Sequence, residues 1–274
     1  MVDQLKSLFK YKELLLNFAK KELKVKYKNS VLGFFWSLLN PILMMIVFTV
    51  LFTVSPLRVA AKGIDNFPIF FLAGLLPWNF FNATVVGSTT SIVGNGALIK
   101  KVYFPRELLP ISIAVANLVN FALELLVLIV FVLGSGLFLT RFLGFYKFLP
   151  ILLVLLPILF VFTLGVSLMA ASLNVYFRDI QHIIGIILMV LFYSTPIIYK
   201  FNPGMFGKFG IIYMLNPMAD IVLSFKSILY GNADNVLAVP NWHYMAYSAA
   251  AASIMFLLGY IVFIRLEPDF AEEV

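Results

Sequence analysis

Few residues in this 274-residue chain could do chemistry, and their types exclude most reactions. The two histidines, His182 and His243, fall on opposite sides of the membrane topology set out below, so they cannot share a site. There is no cysteine, which removes disulfides, thiolate metal centres and cysteine nucleophiles. No HExxH, paired-carboxylate or Ser-His-Asp arrangement is visible, and no metal site is expected. A GxxxxGK[ST] phosphate loop is also missing; the string from Gly204 to Lys208 lacks the spacing and the hydroxyl. Membrane enzymes acting on lipid-linked sugars usually need metal-binding carboxylates. The chain is therefore expected to be no enzyme, and any ATP that drives it must be hydrolysed by another polypeptide.

Three features rise above this background. Glu124 sits in the middle of a long apolar stretch, where a lone carboxyl costs on the order of 3 kcal/mol unless it faces a partner or a wet cavity. A proton carrier would bring other buried titratable groups with it. A structural hydrogen bond, within the subunit or across a subunit interface, fits better. Next come two short polar segments, Leu98–Leu109 and Asn174–His182. The first holds Lys100, Lys101, Phe104, Pro105, Arg106 and Glu107; the second holds Tyr176, Phe177, Arg178 and Asp179. Each sets an aromatic beside an arginine and an acid, as a knob for a soluble partner would require. The same charges serve topology alone, and spacing by itself favours that simpler reading. Last is aromatic density, with 29 Phe, 12 Tyr and 3 Trp. Flat rings stack on pyranose C–H faces and could let a sugar chain slide. Trp78, Phe80, Phe81, Phe192, Tyr193 and Tyr199 neighbour prolines or polar residues and are the candidates. Packing against lipid is the competing role, as for Trp36 and Trp242 at the interfaces.

The elements that must position these residues follow from composition. The chain is 62% hydrophobic and 12% charged, with a mean hydropathy of +1.00. A soluble domain carries about twice that charge. The apolar residues come in blocks, so the expectation is an all-α polytopic membrane protein rather than an alternating-strand barrel. The net charge of +7 suits topology and anionic lipid headgroups, with no nucleic-acid partner. One domain, 1–274, is expected: an amphipathic interface helix over 1–29, six spans within 31–264 and a tail over 265–274.

Lys20, Lys21, Lys24, Lys26 and Lys28 crowd just before the first apolar run, and lysines beside a first span stay in the cytoplasm. No cleavable signal peptide is expected. Along the N-terminal helix, Lys6, Lys10, Glu13, Asn17 and Lys20 form a polar stripe opposite Leu8, Tyr11, Leu15, Phe18 and Val25. The spans are read as Val31–Val54, Phe67–Val93, Pro110–Leu139, Phe148–Leu173, Ile183–Tyr199 and Trp242–Ile264. The second, with Gly74, Pro77, Trp78, Asn79 and Asn82, is too polar and broken for a plain lipid-facing helix. Pro105 suits the first turn of a short inner helix. Ser55–Asn66 and a stretch with Arg141 and Lys147 read as outer loops. Phe206–Leu215 and Pro217–Leu229 are each too short to cross, and read as a re-entrant outer hairpin between the fifth and sixth spans. Both termini are then cytoplasmic. Lys and Arg favour the inner side, mainly through the N-terminus; the outer ones are Arg58, Lys62, Arg141, Lys147, Lys200, Lys208 and Lys226.

In order along the chain, KVKYKNSVLGFFWSLLNP, FFLAGLLPWNFF, LIKKVYFPRELLP, LNVYFRDIQHII, STPIIY, LNPM and RLEPDFAE resemble the polysaccharide and polyol-phosphate export branch of type-2 ABC transporter permeases. These are the O-antigen, capsule and teichoic-acid permeases. The resemblance covers nearly the whole chain. It implies a homodimer of six-span permeases in the bacterial cytoplasmic membrane, bound to two copies of a separate ATPase that holds the ATP and Mg2+; this chain binds no cofactor. It maps ATPase-contacting helices onto Leu98–Leu109 and Asn174–His182, an interface helix onto Leu5–Lys28, an outer gate hairpin onto Phe206–Leu229 and an aromatic path between subunits. The substrate implied is a polymer on an undecaprenyl diphosphate carrier, whose headgroup the charges of Lys24, Lys26 and Lys28 suit. A drug or small-lipid exporter of the same superfamily is the alternative, followed by a proton-coupled carrier using Glu124. No family role matches Glu124.

Overall fold

The structure, a computed structural model, describes residues 10–28, 30–33, 35–54, 64, 66–134, 138–201, 215–230 and 242–274. The helices among them are α1 (Lys12–Tyr27), α2 (Phe35–Val54), α3 (Phe67–Thr89), α4 (Gly96–Ile99), α5 (Leu108–Gly134), α6 (Phe138–Tyr176), α7 (Ile180–Ser194), α8 (Pro217–Leu229), α9 (Trp242–Leu266) and α10 (Phe270–Glu273). Residues 1–9 of the expected interface helix, most of the loop Ser55–Asn66, and residues 206–214 of the expected hairpin lie outside the described residues.

Side-chain caps set several of these starts. Asn66 accepts a hydrogen bond from the Ile69 N–H (3.3 Å) and opens α3. Asn216 does the same for the Met218 N–H (3.1 Å), with Pro217 opening α8, where its missing N–H costs nothing. Between α1 and α2 the chain turns at Gly33, whose φ of +51° suits a residue without Cβ. Its N–H donates to the Ser30 hydroxyl oxygen (3.1 Å).

Among the described residues five helices are long and apolar enough to cross a bilayer: α2, α3, α5, α6 and α9. The expected fifth span, Ile183–Tyr199, is instead the 15-residue α7. That is about 22 Å of helix. It stops at Ser194 because Pro196 pushes Thr195 into an extended conformation. The fourth span differs in the other direction. α6 runs for 39 residues and takes in Arg141 and Lys147, which were expected in a loop. No proline interrupts residues 138–149, and one glycine alone does not stop a helix.

α3 is the centre of the bundle. It packs against α2, α5, α6, α7 and α8, and 17 of its 23 residues are buried. Its rings tie the neighbours together: Phe71 stacks on Phe48 of α2 (4.7 Å), Phe80 meets Phe121 of α5 (5.5 Å) and Phe81 meets Phe162 of α6 (5.6 Å). α6 and α9 cross at Gly165 and Gly259, where a Cβ on Gly259 would stand 2.0 Å from the Gly165 carbonyl oxygen. Backbone approaches this close are what small residues permit between membrane helices.

At the other end α8 brings a buried cation. Lys226, read from sequence as an outer charge, is only 5% exposed. Its ammonium donates to the carbonyls of Pro196 and Ile197 (2.8 Å to the second) and lies 3.5 Å over the Phe70 ring. Those carbonyls follow the break of α7, so Lys226 supplies the donors that the ended helix cannot. Gly74 leaves the room: a Cβ there would meet Lys226 Cε at 2.5 Å.

Two outcomes test this packing. Gly259→Val should destabilise the protein by several kcal/mol, since the obstructing atom is backbone and overpacking already costs about 1–3 kcal/mol where side chains can yield. Thermal unfolding in detergent would show the loss, with Gly185→Ala, which has open space, leaving the midpoint unchanged or higher. Lys226→Met should cost about 1–3 kcal/mol by leaving two buried carbonyls without a donor. The same unfolding measurement reads it.

Candidate functional site

The two inner segments do not form separate short helices. In the first, α4 ends at Ile99, residues 102–105 are non-helical, and a turn with Leu108 N–H bonded to the Pro105 carbonyl (3.2 Å) leads directly into α5. Pro105 explains it: it drives Phe104 out of the helical region and opens the turn at the foot of α5. In the second, α6 continues to Tyr176 and α7 starts at Ile180, leaving Phe177, Arg178 and Asp179 as a tight turn. Asn174 caps α7 by accepting from the Gln181 N–H (3.2 Å).

Burial sorts the predicted contact residues. Phe104 is buried and packs on Phe18 of α1 (ring centroids 5.6 Å), so it is no free knob. Glu107 is buried too, which pushes its carboxyl above the ordinary range. The exposed aromatics are Tyr103 (94%) and Phe177 (64%), flanked by exposed Lys100, Lys101, Arg178 and Asp179. Tyr103 was missed because it and Phe104 lie equally near the charges in sequence, each two residues from one, and only packing tells them apart.

The tail joins the two segments, which the sequence reading also missed. Arg106 reaches it twice: its guanidinium donates to the Glu267 carbonyl and its backbone N–H to Glu267 Oε1 (3.4 Å). The Tyr176 hydroxyl lies 3.1 Å from the Leu266 carbonyl and 3.2 Å from Asp269 Oδ2. Phe270 is fully buried, edge-on to Phe263 (5.4 Å), with the Arg106 guanidinium 6.0 Å from its ring centre. A cleft of about 430 Å³ remains between Tyr11, Tyr103, Arg106 and Glu267. The result is one continuous platform built from both turns and the tail.

α1 leads from this platform into the bundle. Tyr11, Leu14, Leu15 and Phe18 pack on the inner apolar cluster, and Lys21 donates to Asn95 Oδ1 (3.0 Å). Its far end carries Lys26, whose charge acts on Glu124 of α5. Glu124 is some four turns along α5 from its foot, so α1 climbs beside that helix. Partial loss of water around its ammonium lowers the Lys26 pKa, and the Glu124 carboxyl works against that shift. Glu124 thus has an electrostatic partner that spacing could not supply. Lys26 was expected at a lipid headgroup together with Lys24 and Lys28, and all three are exposed on the subunit.

Lys26 and Glu124 line a polar cavity of about 370 Å³ among α1, α2, α3 and α5. Asn40, Asn79, Asn82, Asn117 and Asn120 also line it, with Trp36, Phe80 and Phe121. The Asn117 amide donates to Thr84 Oγ1 (3.3 Å). Asn117, Asn120 and Glu124 recur at three and four residues, as do Asn79 and Asn82, and that one-face spacing was the available signal.

The predicted sugar-path aromatics are not brought together on one surface. Trp78, Phe80 and Phe81 are core residues, with Trp78 packed on Phe192 (5.6 Å). Tyr193 is 67% exposed on α7, and the Tyr199 hydroxyl donates to its carbonyl (3.2 Å). Burial in the subunit follows from α3 being the central helix.

Residues 13–230 match the family described as "ABC-2 type transporter". The chain is 33% identical over 275 residues to an O-antigen export system permease protein RfbA of Myxococcus xanthus, covering all of both chains. It is 31% identical over 260 residues to a protein of the same name from Klebsiella pneumoniae, covering 95% of this chain and 94% of that one. A bundle of apolar helices and this end-to-end similarity lead to one conclusion: the chain belongs to the ABC-2 type transporter membrane family.

Proposed function

We propose that this chain is the membrane-spanning subunit of an ATP-driven exporter that moves a lipid-linked, O-antigen-type polysaccharide outward across the bacterial cytoplasmic membrane. The observation that carries the reading is similarity over the whole chain to permeases named for O-antigen export. The carrier is undecaprenyl diphosphate, and a teichoic acid is the alternative polymer. Two copies of the chain work with two copies of a cytoplasmic ATPase, which holds ATP and Mg2+. Both termini are cytoplasmic, and 1–274 acts as one permease domain.

The ATPase docks on the inner platform. Tyr103 and Phe177 are the apolar contacts, and Lys100, Lys101, Arg178 and Asp179 surround them with charge. Aromatic side chains ringed by polar ones are the pattern of interface hot spots. Phe104, Pro105, Arg106, Glu107 and Tyr176 act from behind, fixing the platform to α1 and the tail. Closure of the ATPase dimer on ATP would then displace α5, α6 and α9 together. ATP shifts the transporter only by the difference in its affinity for the two states. Lys24 and Lys28 attract the carrier diphosphate by charge.

Three measurements bear on this. Tyr103→Ala with Phe177→Ala should weaken capture of the ATPase by roughly 30-fold or more, as loss of hot-spot aromatics at about 1–2 kcal/mol each implies. A pull-down reads it, and unchanged capture would move the docking face elsewhere. Because the natural chain has no cysteine, single cysteines report topology: one at Lys101 should label from the inside and one at Lys200 from the outside with an impermeant maleimide. Vesicles holding chain and ATPase should export a defined undecaprenyl-diphosphate-linked glycan with ATP and fail with a hydrolysis-dead ATPase. Export of small amphiphiles only would favour a drug or small-lipid exporter.

A further inference from the structure

The asparagine cavity beside α1 has no part in the docking of an ATPase, and its lining is specific in kind. Five amides converge on it from α2, α3 and α5. An amide offers both donors and acceptors. Such a surface suits a ligand whose groups also do both, and hydroxyls are that class. A phosphate, which only accepts when ionised, would leave the amide oxygens facing it. The charges agree: among the described lining residues there is one lysine, Lys26, and one carboxyl, Glu124, so no cluster of cations awaits an anion.

The apolar part of the lining fits the same ligand. Trp36 is 46% exposed and contributes a flat ring, while Phe80 and Phe121 are buried behind the amides. A ring with hydroxyls at its edge and C–H groups on its face can satisfy both kinds of wall at once. About 370 Å³ is room for such a ring. Polar groups among membrane helices are costly unless they serve a partner or a wet cavity. Close-packed apolar side chains would be the cheaper filling between α2, α3 and α5.

We propose that this cavity is a sugar-binding site, which takes a neutral, hydroxyl-rich ring presented on a lipid carrier at the flank of the subunit. It rests on the reading above that the cargo is a lipid-linked glycan, and it names where that cargo is recognised. The site lies within one subunit and uses the amides, rather than the core aromatics Trp78 and Phe81, to read the ring. A zwitterionic phospholipid head could also meet one cation and one carboxylate; five amides and an indole favour the sugar.

The test is binding to the full chain in phosphatidylglycerol nanodiscs. The probes are radiolabelled undecaprenyl diphosphate carrying one N-acetylglucosamine, and undecaprenyl diphosphate without sugar. The chain should bind the sugar-bearing probe more tightly. Trp36→Ala and Asn82→Leu should each weaken that probe by roughly tenfold, the worth of one or two polar or stacking contacts, and leave the bare carrier within about twofold. Asn79→Leu is the second amide variant, and each is first checked for an unchanged elution profile and ATPase capture. Equal loss of both probes, no loss of either, or no preference in the unaltered chain would overturn the proposal. So would displacement of the sugar probe by added phosphatidylethanolamine. Selective binding without vesicle export would defeat the transport reading and leave the site standing. Export by the Trp36 and Asn82 variants at unaltered sugar preference would do the reverse.

Discussion

Hydrocarbon offers no partner for an amide or a charge, and that constraint governs the arrangement of this bundle. α3 carries Pro77, Asn79 and Asn82, and it is the helix with five others packed around it, α2, α5, α6, α7 and α8. Lys226 is held by two carbonyls and a ring at the place where α7 ends. Glu124 is met by a lysine brought in on α1. In each case a polar residue that would be intolerable against lipid decides which helix stands beside which. The apolar residues, by contrast, would be satisfied in many arrangements.

This is why much of the fold could be read from the sequence and part of it could not. Long apolar blocks set the spans within a few residues for α2, α3, α5 and α9, and the polar composition of α3 pointed to its burial. α7 and α6 differed because hydropathy measures burial, not helix continuity: Pro196 cuts one short, and nothing cuts the other before Phe138. The two short polar segments do interrupt the long helices, yet as turns rather than as separate short helices. Pro105 acts on the residue before it, and no count of periodicity registers that.

The site residues were legible as types but not as neighbours. Phe104 and Tyr103 are adjacent, and only packing on Phe18 tells which one faces outward. The tail residues Glu267, Asp269 and Phe270 read as a polar end, whereas they bind the two inner turns to each other. Lys26 and Glu124 are nearly a hundred residues apart, and only the placement of α1 beside α5 brings their charges within reach. Trp78, Phe80 and Phe81 have the chemistry for stacking sugars, but a central helix uses its rings as filling.

The crossing of α6 and α9 has one more implication. With the carbonyl of one glycine lying where the other's side chain would be, no lipid tail or rotamer can be inserted between the two helices. They can only turn as a single beam, carrying the second inner turn at one end of α6 and the tail at the end of α9. A push on either the second turn or the tail therefore reaches both helices at once. The short α7 is outside that beam, with Ile186, Met189, Val190 and Tyr193 uncovered in the single subunit.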